Sequence, residues 1–455
     1  MKHDPRDLPA VVPGAQSRVL LHSIAAPLGS ALAQRLERAP IAYGDLKPLV
    51  GPFSRPIVQV SGPPDALEEA GRLLPDCAAK AEAVAVRLRR AGVELDWGPP
   101  HVVPDLASLV RLHRARGASS VEVVRADPSL LAEMELGACY HAYWRRRVIR
   151  RALCRLGIPR SGKWTHRLFT AVSADAAFWL GVRSAATDRE WERFVRSSYV
   201  VFYYHRIAGE RKPGHEHMDV HPRRFESHLR LLRLLGFRPV APDEILAFHT
   251  DPTATIPGRR YVLAADDAFT DAVAALHRHG HLSPHVFVCT SFVGAEAWWA
   301  DNEPIASWEE LRKLEVAGGV IESHSRGHTR LTQLDPQALE EALSGSLHDL
   351  ESHVSRRAGL LAYPHGDHDE HVRAAAIEAG YRAAFTTEPG RNGAGTDIYC
   401  LRRIDLKDWD GRVALTWKAL TGEPLPWFWE RRRPRFRAAR ASRRVARSHR
   451  RTAQR

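Results

Sequence analysis

The sequence predicts an α/β protein. Short apolar runs alternate with helical patterns along most of the chain, and 44% of its residues are hydrophobic. With 26% charged residues and 455 positions, there is room for two to three domains with sizeable cores, which excludes a mainly disordered or fibrous chain. In residues 1–195 the runs Arg18–Leu21, Pro56–Val60 and Val121–Val124 read as strands, and Ala66–Leu74 and Ala78–Arg90 as helices. Thr187–Ser198 reads as a polar helix leading into a strand at Tyr199–Tyr204, so a boundary is expected within 185–198. Strand and helix alternate again over 199–425. The proline-punctuated stretch Pro424–Pro434 closes that unit, and a Trp- and Arg-rich tail occupies 426–455.

No run of 18 apolar residues occurs, so no transmembrane helix is expected. Met1 to Gln16 carries Asp4, Pro5, Asp7 and Pro9 where a signal peptide needs an apolar core. Cys77, Cys139, Cys154, Cys289 and Cys400 are odd in number, scattered and free of C-x-x-C spacing, the usage of reduced thiols. The expected compartment is therefore the cytoplasm.

The net charge of +13 is concentrated in two segments. Arg431–Arg455 holds twelve Arg and no acid, and Tyr140–Phe169 holds nine Lys or Arg and no acid, which leaves −8 for the rest. For the tail the readings rank as a solvated segment first, an anionic membrane surface second and nucleic acid third. Trp427, Phe428 and Trp429 beside the arginines suit a water–lipid interface, and no nucleic-acid-binding motif accompanies them.

Four segments carry the chemistry. An apolar strand ends in the adjacent carboxylates Asp266 and Asp267, which can take different roles because neighbours on a strand point to opposite sides. Ile321–His328 contains the pair His324 and His328 as H-x-x-x-H. A tight turn, Tyr363-Pro364-His365-Gly366, follows an apolar run, and Arg403-Ile404-Asp405 precedes Asp408-Trp409. One carboxylate with two imidazoles makes a three-ligand site with an open position, the pattern of a hydrolytic rather than a structural zinc site. A second carboxylate beside it can serve as general base.

In this order and setting the segments resemble the polysaccharide deacetylases with the NodB homology domain, carbohydrate esterase family 4, over about 199–425. Further matches are Val201–Ile207, the helix Phe225–Leu235 with Gly236-Phe237, Trp308-Glu309-Glu310-Leu311, and Ala379–Thr386. The resemblance implies a distorted (β/α) barrel with its site at the strand C-terminal ends. It also implies Asp266 as catalytic base, and Asp267, His324 and His328 as ligands of one divalent metal ion, Zn²⁺ or else Co²⁺ or Ni²⁺. His365 falls where a backbone N–H helps hold an oxyanion. The implied reaction frees acetate and an amine from an N-acetylated sugar, whether an oligosaccharide, a nucleotide sugar or a lipid-linked precursor. The alternative is an inactive relative that keeps the barrel as a carbohydrate- or membrane-binding scaffold.

Three positions depart from the family pattern. Ala268 stands where the family has Gly, which suits only a position that does not need positive φ. Ala362 stands where an Arg often orients the base, and Arg403 is the expected substitute. The late Leu-x-His that supplies the general acid is absent, and His205 at the end of the first strand is the expected replacement.

In the first half, Ser23–Gly29 and Asp76–Glu82 loosely resemble the glycine loop and Tyr-x-x-x-Lys helix of extended short-chain dehydrogenases and epimerases. Ser23 and Ala26 replace two of the glycines and Asp76 the tyrosine, so a separate α/β domain that is at most a degenerate Rossmann-like fold is expected, without bound NAD.

Overall fold

In the computed structural model, the described residues are 106–140, 144–156, 167–209, 217–355 and 359–425, with short pieces between 18 and 103. The dehydrogenase-like segment Ser23–Gly29, the helix Ala66–Leu74, almost all of Asp76–Glu82 and the tail 426–455 lie outside them. The described residues divide into two compact units. One holds those up to 199 with 240–260 and 392–401, and the other holds 200–239, 261–391 and 402–425.

The first unit is dominated by helices. These are Leu106–Ala126 (α1), Trp144–Leu156 (α2), Arg167–Ala185 (α3) and Pro242–Thr250 (α4). Two strand expectations agree with it, since Arg18–Leu20 pairs antiparallel with Gln59–Ser61. The third does not: Val121–Val124 belongs to α1. Its β-branched content is overridden by close helix packing. A Cβ on Gly117 of α1 would lie 1.9 Å from the Phe178 carbonyl oxygen of α3, and one on Gly181 of α3 would lie 1.9 Å from that of Arg114. The two glycines let the backbones touch, and Val121, Val123, Phe178 and Trp179 are buried around them. Arg150 of α2 reaches Asp175 of α3 through bonds of 2.7 and 2.8 Å and lies 4.7 Å from the Trp179 ring centroid. At 187–196 a single turn, Asp188–Trp191, opens with Thr187 and Glu190 capping each other's backbone N–H.

The second unit is a mixed α/β fold whose sheet curls into a half-barrel. Its strands are Ser198–Tyr204 (β1), Arg260–Ala265 (β2), His285–Val288 (β3), Val320–Ser323 (β4), Leu360–Ala362 (β5), Ala383–Phe385 (β6) and Ile404–Asp405 (β7). They lie in the order β6-β5-β4-β3-β2-β1, with β7 beside β1. The pairs β2–β3, β3–β4, β4–β5, β5–β6 and β1–β7 are parallel. Parallel strands covered on both faces read as continuous apolar runs, and Val200–Phe202, Val262–Ala265 and Val286–Val288 are all buried.

The helices that follow these strands begin at coded positions. Ser307 and Glu310 form a capping box for the helix Trp308–Val316. Asp335 accepts from Ala338 N–H at 2.8 Å, ahead of a proline, to start Pro336–His353. With these strands parallel, their C-terminal ends share one edge, and the loops leaving β1, β2, β4 and β5 carry His205, the Asp266–Asp267 pair, the two histidines and His365.

Candidate active site

The loop after β2 is held by its neighbours. Asp266 N–H donates to the Tyr204 carbonyl at the end of β1 at 2.9 Å, and the Ala268 carbonyl accepts from Ala306 N–H at 2.9 Å. The loop after β4 is tied on several sides. Its Ser325 and Arg326 carbonyls accept from Thr290 and Ser291 N–H, and Arg326 forms a two-pronged pair with Asp349 at 2.9 and 3.1 Å. The Glu322 carboxylate on β4 accepts from Gly359 and Leu360 N–H, each at 2.9 Å, and fixes β4 against the start of β5.

These supports bring Asp267, His324 and His328 together. All three are buried, and one ligand atom from each falls within 4.8 Å of the others. Asp267 Oδ1 is 3.6 Å from His324 Nε2 and 3.2 Å from His328 Nε2. That oxygen is buried and has no hydrogen-bond partner. His324 Nδ1 lies 2.6 Å from the Ala362 carbonyl, a bond in which only the ring N–H can donate, so Nε2 keeps its lone pair for a ligand. An orphaned carboxylate oxygen facing two imidazole nitrogens, one oriented by a backbone carbonyl, fits a divalent cation. Arg403, the guanidinium whose charge reaches Asp267, bonds Asp266 instead. Burial and then the charge of Asp266 push the Asp267 carboxyl up to about 8.

Asp266 has the opposite environment. Burial raises its pKa, but Arg403 and the neighbouring imidazoles of His324 and His205 outweigh burial and hold it below the usual carboxylate value. Arg403 donates to Asp266 Oδ1 at 2.6 Å and to the Thr386 carbonyl at 2.9 Å. Its fully buried guanidinium sits 4.4 Å from the Tyr203 ring centroid and 5.5 Å from that of Phe287. Two adjacent carboxylates are thus driven apart: Arg403 bonds Asp266 and keeps it ionised, while Asp267 is shifted upward.

His205 follows β1 and interacts electrostatically with Asp266, His324 and His328. Burial lowers it to about 4, with the Asp266 charge opposing, and its Nδ1 has no hydrogen-bond partner. His365 lies at φ 60° in the turn after β5, its ring centroid 4.6 Å from that of His328.

The expectation for Ala268 is overturned. Its φ is 60°, so this position does adopt the conformation that glycine favours, and alanine occupies it at a cost of about 1–2 kcal/mol. Asp267, Ser325, His328 and His365 are also left-handed, with φ between 54° and 67°. Such outliers mark sites where the surrounding structure holds functional groups against local preference. Sequence reasoning missed Trp299, whose ring stacks on His328 at 4.3 Å and 18°.

A family profile described as polysaccharide deacetylase matches residues 258–384. Residues 258–384 form a polysaccharide deacetylase domain. Asp266, Asp267, His324, His328 and His365 fall inside the matched segment, whereas His205 and Arg403 lie outside it. The chain is similar to YxkH of Bacillus subtilis (strain 168), a protein named for the same family, with 25% identity over 209 residues, 45% of this chain and 70% of the relative. Among solved structures it is similar to the deacetylase PplD of Streptococcus pyogenes in complex with acetate, at 18% identity and a TM-score of 0.43, covering 50% of this chain and all of that one. It is also similar to IcaB of Ammonifex degensii, at 21% identity and a TM-score of 0.42, covering 49% and 97%. No helix among the described residues is long and apolar enough to cross a membrane.

Proposed function

We propose that this polysaccharide deacetylase is a metal-dependent hydrolase that removes the N-acetyl group from an N-acetylated sugar and releases acetate. The observation that carries this reading is the buried, partnerless Asp267 oxygen facing the Nε2 atoms of His324 and His328. In this reading Asp267, His324 and His328 hold one divalent ion, with Zn²⁺, Co²⁺ and Ni²⁺ as candidates. Such an ion, when bound, supplies Lewis acidity that activates water and polarises the acetamide carbonyl.

The remaining roles fall to the chain itself. Asp266, kept ionised and oriented by Arg403, takes a proton from the attacking water as general base. The His365 N–H, in its left-handed turn, donates to the oxyanion that forms on the former carbonyl oxygen. His205, neutral in the resting site, takes up the proton that Asp266 removed from water and hands it to the departing amine. The C–N bond breaks, and acetate and the free amino sugar are left. Arg403 is a positioning residue, since it touches the base and not the reacting atoms.

The candidate substrates are an oligosaccharide, a nucleotide sugar and a lipid-linked precursor at an inner membrane face, to which the basic tail 426–455 would bind through anionic lipid in a cytoplasmic protein. Flotation with anionic liposomes tests the tail, and binding that survives deletion of 427–455 contradicts that role. Acetate release from the three substrate types, with each metal supplied, tests the activity. Metal-dependent acetate that disappears in Asp266→Asn and Asp267→Ala supports it, and acetate that persists in both contradicts the assigned roles.

A further inference from the structure

Between β3 and the helix Trp308–Val316 the chain makes a small hairpin, in which Glu296–Ala297 pairs antiparallel with Glu303–Pro304. At its tip Trp298 is 62% exposed, an unusual state for the largest apolar side chain. Its neighbour Trp299 is not free in the same way. Trp299 stacks on His328 at 4.3 Å and packs edge-on against Phe292 at 5.0 Å, while Trp298 meets Trp299 edge-on at 5.8 Å. Trp298 is therefore two ring contacts from a candidate metal ligand, with most of its indole turned to solvent.

The hairpin is rigidly rooted. Asn302 N–H donates to the Ala297 carbonyl at 3.0 Å, Ile305 N–H to that of Ala295 at 2.9 Å, and Ala306 N–H to that of Ala268 at 2.9 Å. The last bond ties the hairpin base to the loop that carries Asp266 and Asp267. At the tip, Asp301 and Asn302 are consecutive left-handed residues, with φ of 50° and 57°, which turn the chain back behind the two tryptophans. Exposed Glu296, Asp301 and Asn302 lie within four residues of Trp298 in the same hairpin and supply hydrogen-bonding groups.

We propose that Trp298 is a substrate-binding residue that stacks on the sugar ring adjacent to the one being deacetylated, so that the enzyme selects oligosaccharides over single sugars. A pyranose ring has an apolar C–H face and a polar rim, which an indole flanked by carboxylate and amide groups matches. A fixed aromatic loses little conformational freedom on binding, the condition under which one side chain contributes strongly to affinity. This inference rests on the deacetylase reading of the neighbouring site.

The test compares wild type, Trp298→Ala and Trp298→Phe on an N-acetylglucosamine tetramer with Zn²⁺ supplied, reading acetate. Intrinsic fluorescence is titrated with the same tetramer in the Asp266→Asn background. The expected result is a loss in kcat/KM of about tenfold for Trp298→Ala, carried by KM and largely restored in Trp298→Phe. A tetramer-dependent fluorescence change that vanishes with Trp298→Ala is expected alongside it. Equal kcat/KM in all three proteins, or a loss carried by kcat, overturns the proposal. So does a Trp298→Ala variant that loses binding to anionic vesicles but keeps its KM. If wild type releases no acetate from the tetramer, the activity assigned above fails for this substrate, and the titration decides Trp298 alone: a Trp298-dependent change sustains it, and no change overturns it.

Discussion

Two buried clusters of charge in the second unit invite comparison. In one, Arg206 donates to Asp219 at 2.9 Å and lies 3.0 Å from Asp271 and 3.1 Å from Glu303, so three carboxylates share a guanidinium supplied by the chain. In the other, Asp267 faces two imidazoles and no cation. Burial raises both Asp271 and Asp267, and in both a nearby carboxylate adds to the shift and a guanidinium opposes it; the difference is contact, since Arg206 lies 3.0 Å from Asp271 whereas Arg403 bonds Asp266 and not Asp267. In the first cluster each carboxylate meets a guanidinium of the chain, which serves stability, although Arg206 Nε and Glu303 Oε1 make no hydrogen bond among the described residues. The second brings three candidate ligands together around an orphaned carboxylate oxygen, which is the arrangement expected of a site prepared for an external ion and not of a structural ion pair.

The largest expected effect separates the two. Arg206→Leu leaves Asp219 and Glu303 buried, and Asp271 partly buried, without their cation and should cost about 3–5 kcal/mol in urea unfolding, or prevent folding. Asp267→Ala removes one of two adjacent carboxylates, and its metal-free stability should stay within about 1 kcal/mol of wild type. Equal destabilisation by the two changes would erase the distinction.

Next in size is the response to metal. An ion present at a hundredfold excess over its Kd stabilises by about 2.7 kcal/mol, which for a unit of this size raises Tm by about 5–10 °C. Differential scanning calorimetry should show that rise with Zn²⁺ in wild type and in Arg403→Lys, but not in Asp267→Ala.

Arg403→Met sharpens the assignment of the two aspartates. Without the guanidinium, the Asp266 pKa rises, so the acid limb of the rate–pH profile should move to higher pH, and kcat should fall about 10²-fold as the base loses its orientation. A lower kcat with an unmoved acid limb would assign Arg403 to structure only.

How much of this was legible in the sequence differs between the units. The Asp266–Asp267 pair, His324 and His328 were legible because each follows an apolar strand, and strand ends of a parallel sheet share one edge. Arg403 was reachable only as a substitute for the residue missing at Ala362. Trp299 was not legible, because its stacking on His328 depends on a hairpin fold that local patterns do not encode. Nor was α1, where Val121–Val124 carries a strand-like composition and only the facing glycines of two helices decide otherwise.

The smallest expected effect belongs to the first unit. His249, bonded to the Tyr199 hydroxyl at 3.0 Å, is lowered by burial to about 3 from an ordinary 6.5. Between those values the unfolded chain binds the proton and the folded one does not, so stability is full above pH 6.5 and declines as pH falls toward 3. His249→Gln should flatten that decline by roughly one proton in the slope of unfolding free energy against pH. An unchanged slope would mean that the imidazole titrates alike in both states.

The most direct measurement is the metal content of the purified full chain after loading with Zn²⁺ and desalting, in wild type, Asp267→Ala and His324→Ala. One equivalent in wild type, lost in both variants, is the result expected from an orphaned carboxylate oxygen facing two imidazoles, one of them oriented by a backbone carbonyl. No bound metal in a folded wild type, or retention of the full equivalent in both variants, would contradict the assignment of Asp267, His324 and His328 as the metal site.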